Sequence, residues 1–154
     1  MIVGVGLDVV ELERMNRIMS RPGAARFAEK VLTGLELARW SGLPERRALE
    51  FIAGRFAAKE AVVKALGCGI GAAVGFRDME ILPDEAGRPS CRLADPAWLR
   101  LGLEGARHRI HIAITHERTL AASTAIVERI GAIDAPRDGR TDVIPIEPPN
   151  GEPI

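Results

Sequence analysis

The sequence predicts an α+β domain in which a largely antiparallel sheet packs against one long central helix. Three observations predict it. Short apolar runs bounded by turn residues recur at the start of the chain and in its last third, the pattern of strands. Between Pro44 and Gly67 lies a stretch rich in Ala, Leu, Glu, Lys and Arg with no proline, the pattern of a helix. The 154 residues, 47% of them hydrophobic, suit one domain with a real core.

Each element follows in order. The run Ile2–Leu7, closed by Asp8 and Glu11, reads as a buried strand, too brief for a signal peptide or a membrane span. Residues 11–20 read as a helix with Leu12, Met15 and Met19 on one side, Arg14 and Arg17 on the other, and Pro22 beyond its end. A second helix is expected from about Ala24 to Leu32. Thr33-Gly34-Leu35-Glu36 has the spacing of a capping box and starts a third, which stops near Gly42. Pro44 in a first turn, with Glu45, starts the long helix to about Leu66, and Gly67 suits the left-handed position after its end. Phe76–Leu82 and Arg88–Leu93 read as strands joined by Pro83-Asp84-Glu85-Ala86-Gly87; Asp95-Pro96 opens a helix to about Gly102; Arg109–Thr115 and Leu120–Glu128 form a hairpin. The domain is therefore expected over 1–129. Five of the 10 prolines follow Gly131, so 130–154 reads as a proline-rich tail, with Val143-Ile144-Pro145-Ile146 its one stretch suited to packing on a neighbouring surface.

Composition excludes several roles. Lys plus Arg and Asp plus Glu are both 21, which argues against nucleic acid as a partner. Cys68 and Cys91 stand alone, without the spacing of a zinc site or a disulfide framework, so a reducing cytoplasm is the expected setting. With no apolar run long enough for a span, no membrane partner is expected. Gly4-x-Gly6 lacks the third glycine of a dinucleotide loop and has Asp8 where a phosphate would be repelled. Gly67-Cys68-Gly69-Ile70-Gly71 follows a helix instead of opening one and lacks a Gly-Lys-Ser/Thr ending, so it is no P-loop.

Two stretches carry chemistry: Gly4-Val5-Gly6-Leu7-Asp8 and Arg55-Phe56-Ala57-Ala58-Lys59-Glu60-Ala61-Val62-Val63-Lys64. Each presents an acid on a regular element, and Glu60 and Lys64 share one helix face. Alone, Glu60 and Lys64 read as a solvated i,i+4 pair, and Asp8 as the N-cap of the helix that follows. Taken together, and with Arg47, Phe51, Gly54, Gly87-Arg88-Pro89 and Ile114-Thr115-His116, they resemble the holo-acyl-carrier-protein synthase family of 4′-phosphopantetheinyl transferases, short single-repeat type, over about 1–129.

The resemblance implies the family's fold and its reaction, transfer of the 4′-phosphopantetheine arm of coenzyme A to a serine of an apo acyl carrier protein with release of adenosine 3′,5′-bisphosphate, in fatty acid or related synthesis. Asp8 and Glu60 stand at the family's metal-ligand positions; hard oxygens suit Mg²⁺, with Mn²⁺ as a substitute. Lys64 is expected on a pyrophosphate oxygen, or else paired with Glu60. Arg46, Arg47, Arg55 and His116 are expected at the 3′-phosphate of coenzyme A, where arginine's planar fork binds bidentately. The general base stays open among Glu60, a metal-bound water held by Asp8, and Lys64, with a carboxylate acting through water preferred. Glu117 is left outside the metal set. Arg14, Arg17 and Arg21 form the expected docking face for the carrier protein. A homotrimer with sites between subunits is implied. The alternative is a coenzyme A or carrier-binding module that has lost turnover.

Overall fold

The computed structural model describes residues 1–131; residues 132–154 of the expected tail lie outside the described residues. In chain order the elements are β1 (Ile2–Glu11), α1 (Leu12–Met19), α2 (Ala24–Val31), α3 (Gly34–Trp40), α4 (Glu45–Ala65), β2 (Met79–Pro83), β3 (Pro89–Leu93), α5 (Asp95–Arg100), β4 (His108–His116) and β5 (Leu120–Arg129). No described helix is long and apolar enough to cross a membrane.

The two glycines of the first motif set the central contact. A Cβ on Gly4 would overlap the carbonyl oxygen of Ala65, and one on Gly6 that of Ala61, so β1 lies directly on the backbone of α4. Glycine serves here because it lets two backbones meet. Ala53, Ala57, Ala58, Ala61 and Ala65 complete the arrangement, small residues that leave α4 buried along most of its length. One core cluster joins α4 to β5, the β2–β3 hairpin and α5 through Val62, Met79, Trp98 and Val127. A second joins α4 to α1 and α2 through Met15, Val31, Ile52 and Ala57.

Three expectations need correction. The first strand does not end at Leu7: β5 supplies an antiparallel partner as far as Glu11, with Asp8 opposite Ser123, so Asp8 is a strand residue and caps no helix. The helix after it starts only at Leu12, whose N–H donates to the Thr119 carbonyl at 2.8 Å. The expected strand from Phe76 begins at Met79, because the Asp78 carboxylate accepts from the Gly75 N–H at 2.8 Å and is also held by Arg100, curling Phe76–Asp78 into a 3₁₀ turn. Finally, the strands do not form one sheet. β1, β5 and β4 form an antiparallel sheet in that order, and β2 and β3 form a separate hairpin. The facing edges of β3 and β4 border a cavity of about 710 Å³, and at one end of it the Trp98 ring stacks on His108 with centroids 5.5 Å apart.

The capping box is present as expected. The Glu36 carboxylate accepts from the Thr33 N–H at 2.7 Å, and the Thr33 hydroxyl accepts from the Glu36 N–H at 3.4 Å. Gly67 takes φ +72°, the left-handed conformation anticipated after α4.

Candidate active site

Asp8, Glu60 and Lys64 form a carboxylate corner where β1 crosses the C-terminal half of α4. The alternation of β1 puts Gly4, Gly6 and Asp8 on the face toward the helix, so the glycines that admit the strand also aim the carboxylate. Lys64 Nζ donates to Asp8 Oδ1 at 2.7 Å and to the Leu7 carbonyl at 3.0 Å. Its recorded partner is thus Asp8 across the strand, in place of Glu60 one turn away. Partial burial pushes the Glu60 carboxyl above its ordinary range, the charge of Asp8 adds to that, and Lys64 opposes both. The like charges of two neighbouring carboxylates are only partly neutralised, an arrangement that fits a divalent cation. Among the described residues no group of three or more His, Cys, Asp or Glu is assembled for a metal. A cation here would take two hard protein oxygens and complete its shell from phosphate and water, the habit of Mg²⁺.

A second group lies along the N-terminal half of the same helix. Arg47, Phe51 and Arg55 follow one another at four-residue spacing on one face of α4 and line a cavity of about 620 Å³. Arg39 of α3, Gly87 and Pro89 of the β2–β3 hairpin, and Ile114 and His116 of β4 close it. Gly54 brings β4 close, since a Cβ there would stand 3.1 Å from a methyl group of Ile114. The cavity therefore presents three arginines and a histidine against one carboxylate, Glu50, which Arg46 pairs, a set still matched to an anion. The Arg55 guanidinium lies 4.3 Å over the Phe51 ring, and its Nε–H donates to the Ile81 carbonyl at 3.0 Å.

Not every expected residue joins these groups. Arg46 points an exposed side chain along α4 to Glu50 at 3.0 Å and does not line the cavity. Arg14, Arg17 and Arg21 are all exposed and form no ion pair with a described residue. Arg39 was not singled out from the sequence. Its place follows from α3, which the Trp40 indole N–H fastens to the Ala48 carbonyl at 3.0 Å. The carboxylate corner and the basic cavity sit roughly 160° apart around the axis of α4, so they face different sides of one chain.

Comparison with known proteins decides the family. The family pattern of the 4′-phosphopantetheinyl transferase superfamily matches residues 4–123, which span both groups of side chains. The chain belongs to that superfamily. A holo-[acyl-carrier-protein] synthase of Geobacillus kaustophilus is 45% identical over 131 residues, covering 85% of this chain and 92% of the relative. The crystal structure of a holo-(acyl-carrier-protein) synthase from Bacillus anthracis in complex with CoA (3′,5′-ADP) is 36% identical with a TM-score of 0.71, covering 84% of this chain and 98% of that one. That of the enzyme from Neisseria meningitidis is 32% identical with a TM-score of 0.73, covering 84% and 100%. The α+β fold, with antiparallel strands packed on a long helix, is thus that of the synthase structures, and the chain is an enzyme of the phosphopantetheinyl transferase class.

Proposed function

We propose that this transferase moves the 4′-phosphopantetheine arm of coenzyme A onto a serine of an apo acyl carrier protein, with adenosine 3′,5′-bisphosphate as the second product, in the cytoplasm and in support of fatty acid or related synthesis. The observation that carries the reading is the convergence of Asp8, Glu60 and Lys64 at one corner of β1 and α4 in a member of this superfamily. The serine oxygen forms a bond to the phosphorus that carries the pantetheine arm, and the bond from that phosphorus to the bridging oxygen breaks. The serine proton passes through water to a carboxylate of the corner.

Asp8 and Glu60 would hold Mg²⁺, or Mn²⁺ in its stead, which when bound neutralises charge on the pyrophosphate oxygens. Lys64, on a half-exposed stem beside Asp8, is the cation available to a phosphoryl oxygen. Arg47, Arg55 and His116, joined by Arg39, take the 3′-phosphate in the basic cavity. Arg46 is retained as an outer contact only.

The carrier protein docks on the face of Arg14, Arg17 and Arg21, where exposed cations would steer an acidic helix. The enzyme works as a homotrimer with each site shared between copies. Two features support sharing. The corner and the cavity face different sides of α4, and the outer face of β1 exposes Val3, Val5, Leu7 and Val9 in a row. The test is the intact mass of an apo acyl carrier protein incubated with enzyme, coenzyme A and Mg²⁺, beside a chelated control. A gain of one phosphopantetheine, lost on chelation, is expected. Binding of coenzyme A with no mass gain on any carrier would instead favour a binding module without turnover.

A further inference from the structure

Arg55 is held from behind by groups that touch neither the corner nor the cavity. The free edge of β2 exposes the N–H and C=O of Ile81 toward α3 and α4, and two charged side chains cover it. The Ile81 N–H donates to Glu36 Oε1 at 3.1 Å, and the Ile81 carbonyl accepts from Arg55 Nε at 3.0 Å. Glu36 is fully buried and is itself fixed at its other oxygen by the Thr33 N–H at 2.7 Å and by Lys59 Nζ at 2.6 Å. Lys59, also fully buried, donates in addition to the Val31 carbonyl at 2.7 Å. One residue of β2 thus ties Glu36 on one side to Arg55 on the other, and Glu36 Oε1 also stands 3.7 Å from Arg55 Nε, a direct charge contact behind the shared peptide. With Nε committed to Ile81, the terminal nitrogens of Arg55 have no hydrogen-bond partner among the described residues, and Arg55 lines the cavity.

We propose that Glu36 is a positioning residue for the basic cavity: through the peptide of Ile81 it sets the pose of Arg55, while Lys59 balances its buried charge. The inference rests on the reading that Arg55 meets the 3′-phosphate of coenzyme A. Burial lowers the pKa of both Lys59 and Arg55, and Glu36 works against that lowering in each. A single substitution at Glu36 would strand the Lys59 charge in the core, so the informative variants are doubly neutral. Glu36→Gln with Lys59→Met keeps a carbonyl acceptor for the Ile81 N–H; Glu36→Leu with Lys59→Met removes it at similar volume.

The experiment compares KM for coenzyme A with KM for 3′-dephospho-coenzyme A in these variants, in the unsubstituted enzyme and in Arg55→Ala. The Leu/Met variant is expected to lose about tenfold of the preference for coenzyme A with kcat unchanged, and the Gln/Met variant to keep it within about threefold. Equal preference in the two double variants, whether kept or lost, overturns the inference. If Arg55→Ala abolishes the preference while the Leu/Met variant keeps it, the positioning role falls and the cavity reading stands. If Arg55→Ala leaves the preference intact, the cavity reading itself falls. A measurement on the unsubstituted protein covers the case in which the Leu/Met variant does not fold. The Arg55 Nε–H proton should exchange with water far more slowly than that of exposed Arg14 before any nucleotide is added; equal exchange rates would overturn the preset pose.

Discussion

The carboxylate corner and the basic cavity use opposite faces of α4 and are built by different means. In the corner, function comes from short contacts: Asp8 sits on β1 because Gly4 and Gly6 bring that strand onto the helix, and Lys64 reaches it directly at 2.7 Å. In the cavity, the three arginines and the histidine come from three separate elements, and Arg55 is backed by a buried scaffold of Glu36, Lys59 and Ile81. In the proposed reaction the corner is a device of short contacts whose charges act on the reacting atoms. The cavity, in the same proposal, is a tertiary device for a part of the substrate remote from reaction, so the two halves should fail differently.

The largest effect should follow loss of a corner carboxylate. Asp8→Ala and Glu60→Ala should each lower the rate of carrier modification by about a thousandfold, read by intact mass, while binding of adenosine 3′,5′-bisphosphate measured by calorimetry changes little. Comparable losses in both assays would erase the distinction between the halves. Next, Gly6→Ala forces β1 away from Ala61 and should cost about 1–3 kcal/mol in urea unfolding, and it should impair transfer more than nucleotide binding because Asp8 moves with the strand.

Arg55→Ala sharpens the other side of the comparison. Removing a charged hydrogen-bond donor to phosphate should raise KM for coenzyme A by about 10- to 100-fold with little change in kcat, in steady-state kinetics. Smallest of all should be Arg46→Ala, within about twofold in KM, since that side chain is an exposed partner of Glu50 and such pairs contribute little. A large effect at Arg46 would move the phosphate outside the cavity described.

The same contrast explains what was legible in the sequence. The corner lies in two continuous motifs, so Asp8, Glu60 and Lys64 could be named from the resemblance of those motifs to the family's, although the partner of Lys64 could not, because β1 and α4 are far apart in the chain. Helix boundaries at Thr33, Pro44 and Gly67 were readable because capping and left-handed turns depend on a few neighbouring residues. Strand pairing is nonlocal, and there the reading fell short: β5 extends β1 to Glu11, and β3 and β4 stay unpaired with each other. Glu36 was legible as a cap but not as the partner of Lys59. A signal for Lys59 did exist, since it stands among Ala57, Ala58, Ala61 and Val62 in a helix with few exposed turns, where a lysine requires a buried partner. Arg39 offered no such signal; only the docking of α3 brings it to the cavity.

The claim that two unlike halves on opposite faces of α4 act on one substrate molecule is tested most directly by mixing. Asp8→Ala and Arg55→Ala chains, each assayed alone at limiting coenzyme A and then after co-refolding in equal amounts, should complement: about a quarter of the sites in randomly mixed assemblies would join an intact corner to an intact cavity. Activity in the mixture well above the mean of the two separate variants is the predicted result. A mixture no more active than that mean would contradict a site shared between copies.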